Sequence, residues 1–337
     1  MRVAVLDGPG DLSVQERPEP HAGPGEVVVR VASVGVCGSD THYYDHGRIG
    51  RFVVEQPLVL GHEASGEVVE VGAGVTGLRT GQRVSLEPGV PDLVCEQCRA
   101  GRYNLCPQMR FFATPPVDGA FAELVAVHAA FAHPVPDSMS DDAAALLEPL
   151  SVGIWACRKG RVTAGSRVLI TGAGPIGLVS VQTALAFGAS EVVVSDVNPT
   201  RLQLALDLGA TEVVDARSAS VLDLDRPPEV LLECSGFPPA IGEGIRALDR
   251  AGRAVLVGMG GDEVALPLSV VQERELELTG TFRYANTWPT ATALVTSGRV
   301  DLDRLVTGTY GLADAALALT ASRRDEAAVK AVVHPGR

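Results

Sequence analysis

Apolar and polar positions along the chain fall into two textures. In the first 140 residues or so, RVAVL (2–6), EVVVRVASVGV (26–36) and SGEVVEVG (65–72) alternate or run apolar over strand lengths. Turn signals such as GPG, AGPGE and GAG separate them, which predicts an antiparallel, loop-rich β half. From residue 140 the period lengthens. In SDDAAALLEPLSVGIWACRKG (140–160), Ser140 is placed to cap a helix, and Asp141 and Asp142 suit its positive N-terminal end. SRVLITGAGPIGLVSVQTALAFGA (166–189) then reads as strand, glycine turn and helix.

Further alternation follows. EVVVSD, EVVD, EVLLECSG and GRAVLVGM read as strands. NPTRLQLALDLGA reads as a helix capped by Asn198 with Pro199 in its first turn, and PAIGEGIRALDRAG as another helix. Strands alternating with helices predict a parallel, doubly wound sheet, so the fold class is α/β with a second, β-rich domain. After ELELTGTF the pattern changes to loop and helix, and the tail AAVKAVVHPGR ends in a strand. We find no internal repeat.

The glycine turn carries the first chemistry. GAGPIG at 172–177 fits G-x-G-x-x-G. Gly172 permits the tight turn, Gly174 lets a pyrophosphate approach the backbone, and Gly177 lets helix and strand pack closely. The helix N-terminus offers free N–H groups and a positive dipole end to phosphate. Asp196 closes the next strand about 20 residues on, where a ribose 2′-hydroxyl partner belongs. A carboxylate there repels a 2′-phosphate, so NAD is expected rather than NADP. Pro175 and Ile176 in the turn, Arg201 in the following helix, and Phe282 and Arg283 complete the expected cofactor contacts.

Two groups of residues have metal-ligand chemistry. Cys37 ends a strand in GVCGSD, and His62 and Glu63 follow Gly61. Thiolate, imidazole and carboxylate are all zinc ligands. Consecutive strand residues point to opposite faces, so His62 and Glu63 can share a metal only if the backbone departs from a regular strand, which Gly61 permits; otherwise Glu63 orients His62 from behind. Glu148, in LLEPL, is the second carboxylate candidate, as a ligand or as the holder of a bound water. VPDLVCEQCRAGRYNLC places Cys95, Cys98 and Cys106 in a C-x2-C-x7-C spacing, which suits a tetrahedral ion. Cys157 and Cys234 have no partners in sequence and read as core residues. His42 and His46 read as lining or surface residues, and Asp40 as the residue that fixes a turn.

At these positions the sequence resembles the zinc-containing medium-chain alcohol dehydrogenase family. GHEASGEVVEVGAGV (61–75) matches that family's zinc signature, and LLEPLSVG, GAGPIG, HYYDHGRIG and FRYANTWP are most similar to its sorbitol (L-iditol) and xylitol dehydrogenase branch. The resemblance implies a GroES-like catalytic domain over 1–146, a Rossmann NAD-binding domain over 147–286, a return segment over 287–337, and an active site in the cleft between the two domains. It implies catalytic zinc at Cys37, His62 and Glu63 with Glu148 nearby, Ser39 as the hydroxyl on the reacting oxygen, and Tyr43, Arg283 and Tyr284 lining a polyol site. The family's lobe usually holds zinc with four cysteines. Here Asp92 stands at the first position, and a zinc held by Asp92, Cys95, Cys98 and Cys106 is expected. The implied reaction moves a hydride from a secondary hydroxyl of a polyol to NAD+, giving a ketose. Rival readings are a zinc alcohol or threonine dehydrogenase, and a non-catalytic nucleotide-binding protein on the same scaffold.

Composition narrows the partners. Of 337 residues 46% are hydrophobic and 20% charged, enough apolar material for two folded domains. The net charge of -13 disfavours nucleic acid, which requires a basic face. No apolar run reaches membrane-spanning length and MRVAVLDGPG lacks a signal-peptide core, so a cytoplasmic protein with no membrane partner is expected. A homodimer or homotetramer is expected as the common case, with the edge near GRAVLVGM and ELELTGTF pairing across a two-fold axis. Only two lysines occur, Lys159 and Lys330, a compositional bias with no evident mechanism in the sequence.

Overall fold

The computed structural model describes residues 1–261 and 263–337. They form two compact units, one of residues 1–148 and 302–337 and the other of residues 149–301.

The first unit is built on a seven-stranded sheet. Its central strand, Glu26–Gly35, pairs antiparallel with Glu63–Val71, Leu124–His128 and Lys330–His334. Arg83–Leu86 and Ala132–Pro134 extend one side, and Val306–Gly311 the other. The alternating and continuous apolar runs explain the burial. Val27, Val29, Val31 and Val34 lie in a core with Leu60, Ala64, Val68, Leu86 and Phe121. Arg2–Gly8, Asp11–Glu16 and Leu58–Val59 make a smaller sheet. The C-terminal segment completes the main sheet by supplying its last two strands, which pair parallel to each other.

The second unit is a six-stranded, wholly parallel sheet. Its order is Glu212–Asp215, Glu191–Asp196, Arg167–Thr171, Val230–Glu233, Arg253–Leu256, Glu277–Gly280. The chain moves outward from Arg167–Thr171 in both directions, the doubly wound arrangement expected from the sequence. Helices Pro175–Ala186, Pro199–Asp207 and Pro238–Ala247 cross over between its strands, each opening on a proline in the first turn. Asn198 accepts from the Arg201 N–H at 3.1 Å, as the cap reading required.

Two sequence expectations differ in detail. The helical stretch after Ser140 is two helices, Asp141–Ala145 and Leu147–Gly160. Pro149 has no N–H for the Ala145 carbonyl, so one continuous ladder cannot form. Ser140 does cap the first of them, accepting from the Ala143 N–H at 2.9 Å. The segment 287–301, expected with the return segment, packs in the second unit. Arg158 donates to the Asn286 carbonyl and to the Thr290 hydroxyl, both at 2.9 Å, and the Gln182 amide bonds both ways with the Asp301 backbone. Among the described residues no helix is long and apolar enough to cross a membrane.

Candidate metal centre and cofactor turn

Cys37 ends the extended stretch after Glu26–Gly35 and starts the helix Gly38–His46. Asp40, in the first turn of that helix, is wholly buried and ties two segments together. Its carboxylate accepts from the Cys37 N–H at 2.9 Å and from the Gly61 N–H at 2.9 Å, and it lies 3.8 Å from His62 Nδ1. Asp40 thus fixes a turn, as read from sequence, and also sets the position of His62, which the sequence did not reveal.

The objection to a shared metal at His62 and Glu63 disappears in the backbone. Gly61 has a left-handed φ of 85°, and the strand begins only at Glu63. His62 therefore lies outside the pleat, and the two side chains are free to converge. One ligand atom from each of Cys37, His62 and Glu63 lies within 4.8 Å of the others. Glu148 is not in this group; it is buried in the first turn of Leu147–Gly160.

The donor set suits a divalent cation. Burial lowers the His62 pKa, but Cys37 and Asp40 more than offset this and hold it well above the ordinary histidine value. A potential that favours a proton on a buried imidazole favours a dication more. Glu63 faces Lys330, whose ammonium nitrogen is 2.7 and 2.9 Å from its two carboxylate oxygens. Burial pulls the Lys330 pKa down, but Glu63, Cys37 and Glu148 outweigh it, so the lysine stays charged. The Phe111 ring packs on His62 with centroids 5.5 Å apart. Lys330 and Phe111 were not anticipated from sequence. The lysine's one visible signal was its rarity.

The second donor group is the lobe at 92–106. Asp92, Cys95, Cys98 and Cys106 each bring one ligand atom within 4.8 Å of the others. Asp92 Oδ1 accepts from the Val94 and Cys95 N–H groups at 2.9 and 3.0 Å, and these bonds hold its carboxyl down at about 2. Burial and neighbouring donor atoms push the Cys98 thiol up, which is the crowding an ion relieves. Backbone N–H groups of Asp92 and Cys98 point at the sulfurs of Cys106 and Cys95, both at 3.4 Å. Such bonds fit sulfurs that carry negative charge. All six cysteines are free; Cys157 is fully buried and Cys234 partly so.

In the second unit the turn 172–177 is built as its glycines required. Gly172 is left-handed at φ 91°. A Cβ on Gly177 would lie 1.8 Å from the Gly172 carbonyl oxygen, whereas one on Gly174 would meet nothing within 4 Å. Asp196 accepts from the Ala173 N–H at 2.5 Å and from the Asn198 N–H at 2.8 Å, so it also organises the turn. Beside it, Glu233 is wholly buried and accepts from the Ser235 and Gly236 N–H groups at 2.9 and 3.0 Å. Arg201 is half-buried in the first turn of Pro199–Asp207.

The residues expected around a polyol are placed less openly than anticipated. Tyr43 lies in the core of the first unit and Tyr284 is buried edge-on to Trp288, with centroids 5.3 Å apart. Ser39 and Arg283 are half-buried, and Phe282 is exposed with the Arg283 guanidinium 4.8 Å above its ring. Arg283 has a φ of 54°, a left-handed conformation that is costly for a long side chain and that clusters at functional sites.

A doubly wound parallel sheet with a glycine phosphate turn, in one chain with a half-buried thiol beside a buried imidazole and carboxylate, defines a zinc-binding dehydrogenase. Residues 23–137 match the alcohol dehydrogenase GroES-like domain and residues 175–297 match the zinc-binding dehydrogenase family. Sorbitol dehydrogenase of Gallus gallus is 46% identical over 330 residues, covering 96% of this chain and 93% of that protein. Sorbitol dehydrogenase of Homo sapiens is 46% identical over 316 residues, 91% and 88% of the two chains. Among solved structures, L-idonate 5-dehydrogenase from Escherichia coli superposes with a TM-score of 0.93 at 31% identity, over 99% of this chain and 97% of that one. The 2R,3R-butanediol dehydrogenase from Bacillus subtilis gives 0.92 at 31%, over 99% of each. The chain belongs to the zinc-containing medium-chain alcohol dehydrogenase family.

Proposed function

We propose that the protein is a zinc-dependent, NAD-linked polyol dehydrogenase that oxidises a secondary hydroxyl of a sorbitol, xylitol or L-iditol type substrate to a ketone. The observation that carries the reading is the convergence of a half-buried Cys37 with buried His62 and Glu63, in a chain 46% identical to a sorbitol dehydrogenase over nearly its whole length. Zinc supplies a Lewis acid that makes a hydroxyl more acidic, and NAD+ supplies the hydride acceptor.

Cys37, His62 and Glu63 hold the metal, and Asp40 fixes the histidine. The Ser39 hydroxyl, half-buried in the first helical turn, takes up and passes on the substrate proton. Tyr43, Arg283 and Tyr284 offer hydrogen-bond partners that an apolar pocket lacks, and so favour a polyol over a simple alcohol. Glu148 serves as a nearby carboxylate for proton relay. Gly172, Gly174, Pro175, Ile176 and Gly177 receive the cofactor pyrophosphate and Asp196 its ribose, with Arg201, Phe282 and Arg283 as further contacts. Asp92, Cys95, Cys98 and Cys106 hold a second zinc of structural role.

We place the protein in the cytosol, where thiol ligands stay reduced, as a homodimer or homotetramer. Among the described residues, the edge strand Glu277–Gly280 has no strand paired on its outer side, and a second copy can add there.

Metal analysis with Cys37→Ala and His62→Ala tests the reading. Wild type should carry two zinc ions per chain, and each variant should lose one of them together with turnover. Wild-type rates in a variant that has lost that zinc would overturn the mechanism.

A further inference from the structure

Lys330 and Glu63 stand on strands that are not neighbours. The central strand Glu26–Gly35 runs between them, and its Gly35 lies opposite Glu63 on one side and Val332 on the other. A side chain on Gly35 would block the path, since its Cβ would lie 2.0 Å from Glu63 Oε2. The missing side chain is where the carboxylate lies, and there it meets the ammonium of Lys330. All three donors of that ammonium have acceptors: the two Glu63 oxygens at 2.7 and 2.9 Å, and the Val36 carbonyl at 2.9 Å. Both side chains are almost fully buried, at 1% and 3% exposure.

A buried ion pair is weak grounds for stability, because apolar residues of the same size do as well or better. This one adjoins the Cys37 and His62 donors. Each carboxylate oxygen keeps a lone pair after accepting from lysine, so the clamp leaves Glu63 able to serve as a ligand. The composition points the same way. The chain's basic residues are otherwise arginine except Lys159, yet a lysine stands at this site. A tetrahedral ammonium matches three converging acceptors; a planar five-donor guanidinium does not.

We propose that Lys330 is a positioning residue of the metal centre, which clamps the Glu63 carboxylate across the gap at Gly35 and so fixes the ligand set. The proposal rests on the metal-centre reading above. It also gives the C-terminal segment a part in the metal chemistry, because the strand that completes the sheet brings the group that orients Glu63.

The test uses the full-length protein loaded with zinc or with Co2+, in wild type, Lys330→Met, Lys330→Arg and Gly35→Ala. Cys37→Ala serves as the spectral blank, so that cobalt in the cysteine lobe is subtracted. Lys330→Met should transfer the Cys37-dependent zinc to a chelator about 10- to 100-fold faster and lower kcat by a similar factor. Its Co2+ visible bands should shift, while KM for NAD+ stays as in wild type. Lys330→Arg should behave like Lys330→Met. Gly35→Ala keeps both charges but displaces the carboxylate, so it should show the same spectral shift; it carries the test if Lys330→Met does not fold. A wild-type Co2+ spectrum and chelator rate in folded Lys330→Met or Gly35→Ala overturns the proposal. Wild type that takes up no Cys37-dependent metal overturns the metal-centre reading instead, which keeps the two failures apart.

Discussion

Two glycines in one turn should fail in different ways when a methyl group is added. At Gly177 the new Cβ would sit 1.8 Å from the Gly172 carbonyl oxygen, whereas an ordinary C···O contact is about 3.3 Å or more. The helix Pro175–Ala186 or the turn must therefore move by about 1.5 Å. Overpacking of this kind costs about 1–3 kcal/mol. In a unit of this size that lowers Tm by about 2–4 °C per kcal/mol, or roughly 2–12 °C in all. At Gly174 a Cβ meets nothing within 4 Å and φ is -72°, so Ala fits the free protein and changes stability by less than about 1 kcal/mol. Yet this methyl stands at the start of the helix, where the proposed pyrophosphate site lies. A backbone hydrogen bond to a charged pyrophosphate is worth about 1.5–3 kcal/mol, so losing one should lower NADH affinity by roughly 10- to 150-fold. Thermal unfolding and NADH fluorescence titration of both variants measure the two effects. Gly174→Ala that binds NADH like wild type would remove the pyrophosphate from this backbone, and Gly174→Ala that unfolds as early as Gly177→Ala would show that position 174 has no room for a methyl group.

Other outcomes follow from the same structure. Asp92→Ala should lose the lobe zinc and leave the Cys37-dependent zinc in place, read as a fall from two metal ions per chain to one. Asp196→Asn should weaken NAD+ binding and narrow the discrimination against NADP+, because the charge goes while the bond to Ala173 can remain; unchanged discrimination in initial rates would remove the ribose assignment. Glu123 is half-buried, and although burial raises its pKa, the bonds from Arg2 at 2.7 and 2.8 Å hold it below the usual range. A lowered folded pKa means this anchor is complete above the ordinary glutamate value of about 4.3 and is lost as pH falls through the folded value. Glu123→Gln should therefore destabilise the protein at neutral pH and show a shallower acid limb in denaturation midpoints than wild type.

Much of the fold was legible because its signals are local. The glycine turn, the Asn198 cap and the alternation of strand and helix all lie within windows of a few residues, and the structure places each as read. The grouping of Cys37, His62 and Glu63 was legible through their thiol, imidazole and carboxylate chemistry together with the family resemblance, because Cys37 lies far from the other two in sequence; the structure brings the three donor atoms together and leaves Glu148 apart. What escaped was long-range. The Lys330–Glu63 pair spans 267 positions, and AAVKAVVH reads as an ordinary strand. The space that Gly35 leaves has meaning only once its neighbouring strands are known. Asp40 looked like a turn residue and is one, but its second role depends on Gly61 arriving from 21 positions away. The 287–301 segment was assigned by a change of pattern, whereas its bonds to Arg158 and Gln182 put it with the parallel sheet.

A zinc polyol dehydrogenase carries out chelator-sensitive oxidation of a polyol with NAD+. Initial rates of NAD+ reduction on sorbitol, xylitol, L-iditol, ribitol, ethanol and threonine, with and without prior chelation, test it most directly. Turnover is expected on one or more polyols, abolished by chelation and restored by added zinc. Turnover confined to ethanol or threonine, or polyol turnover that survives removal of the Cys37-dependent zinc, would contradict it.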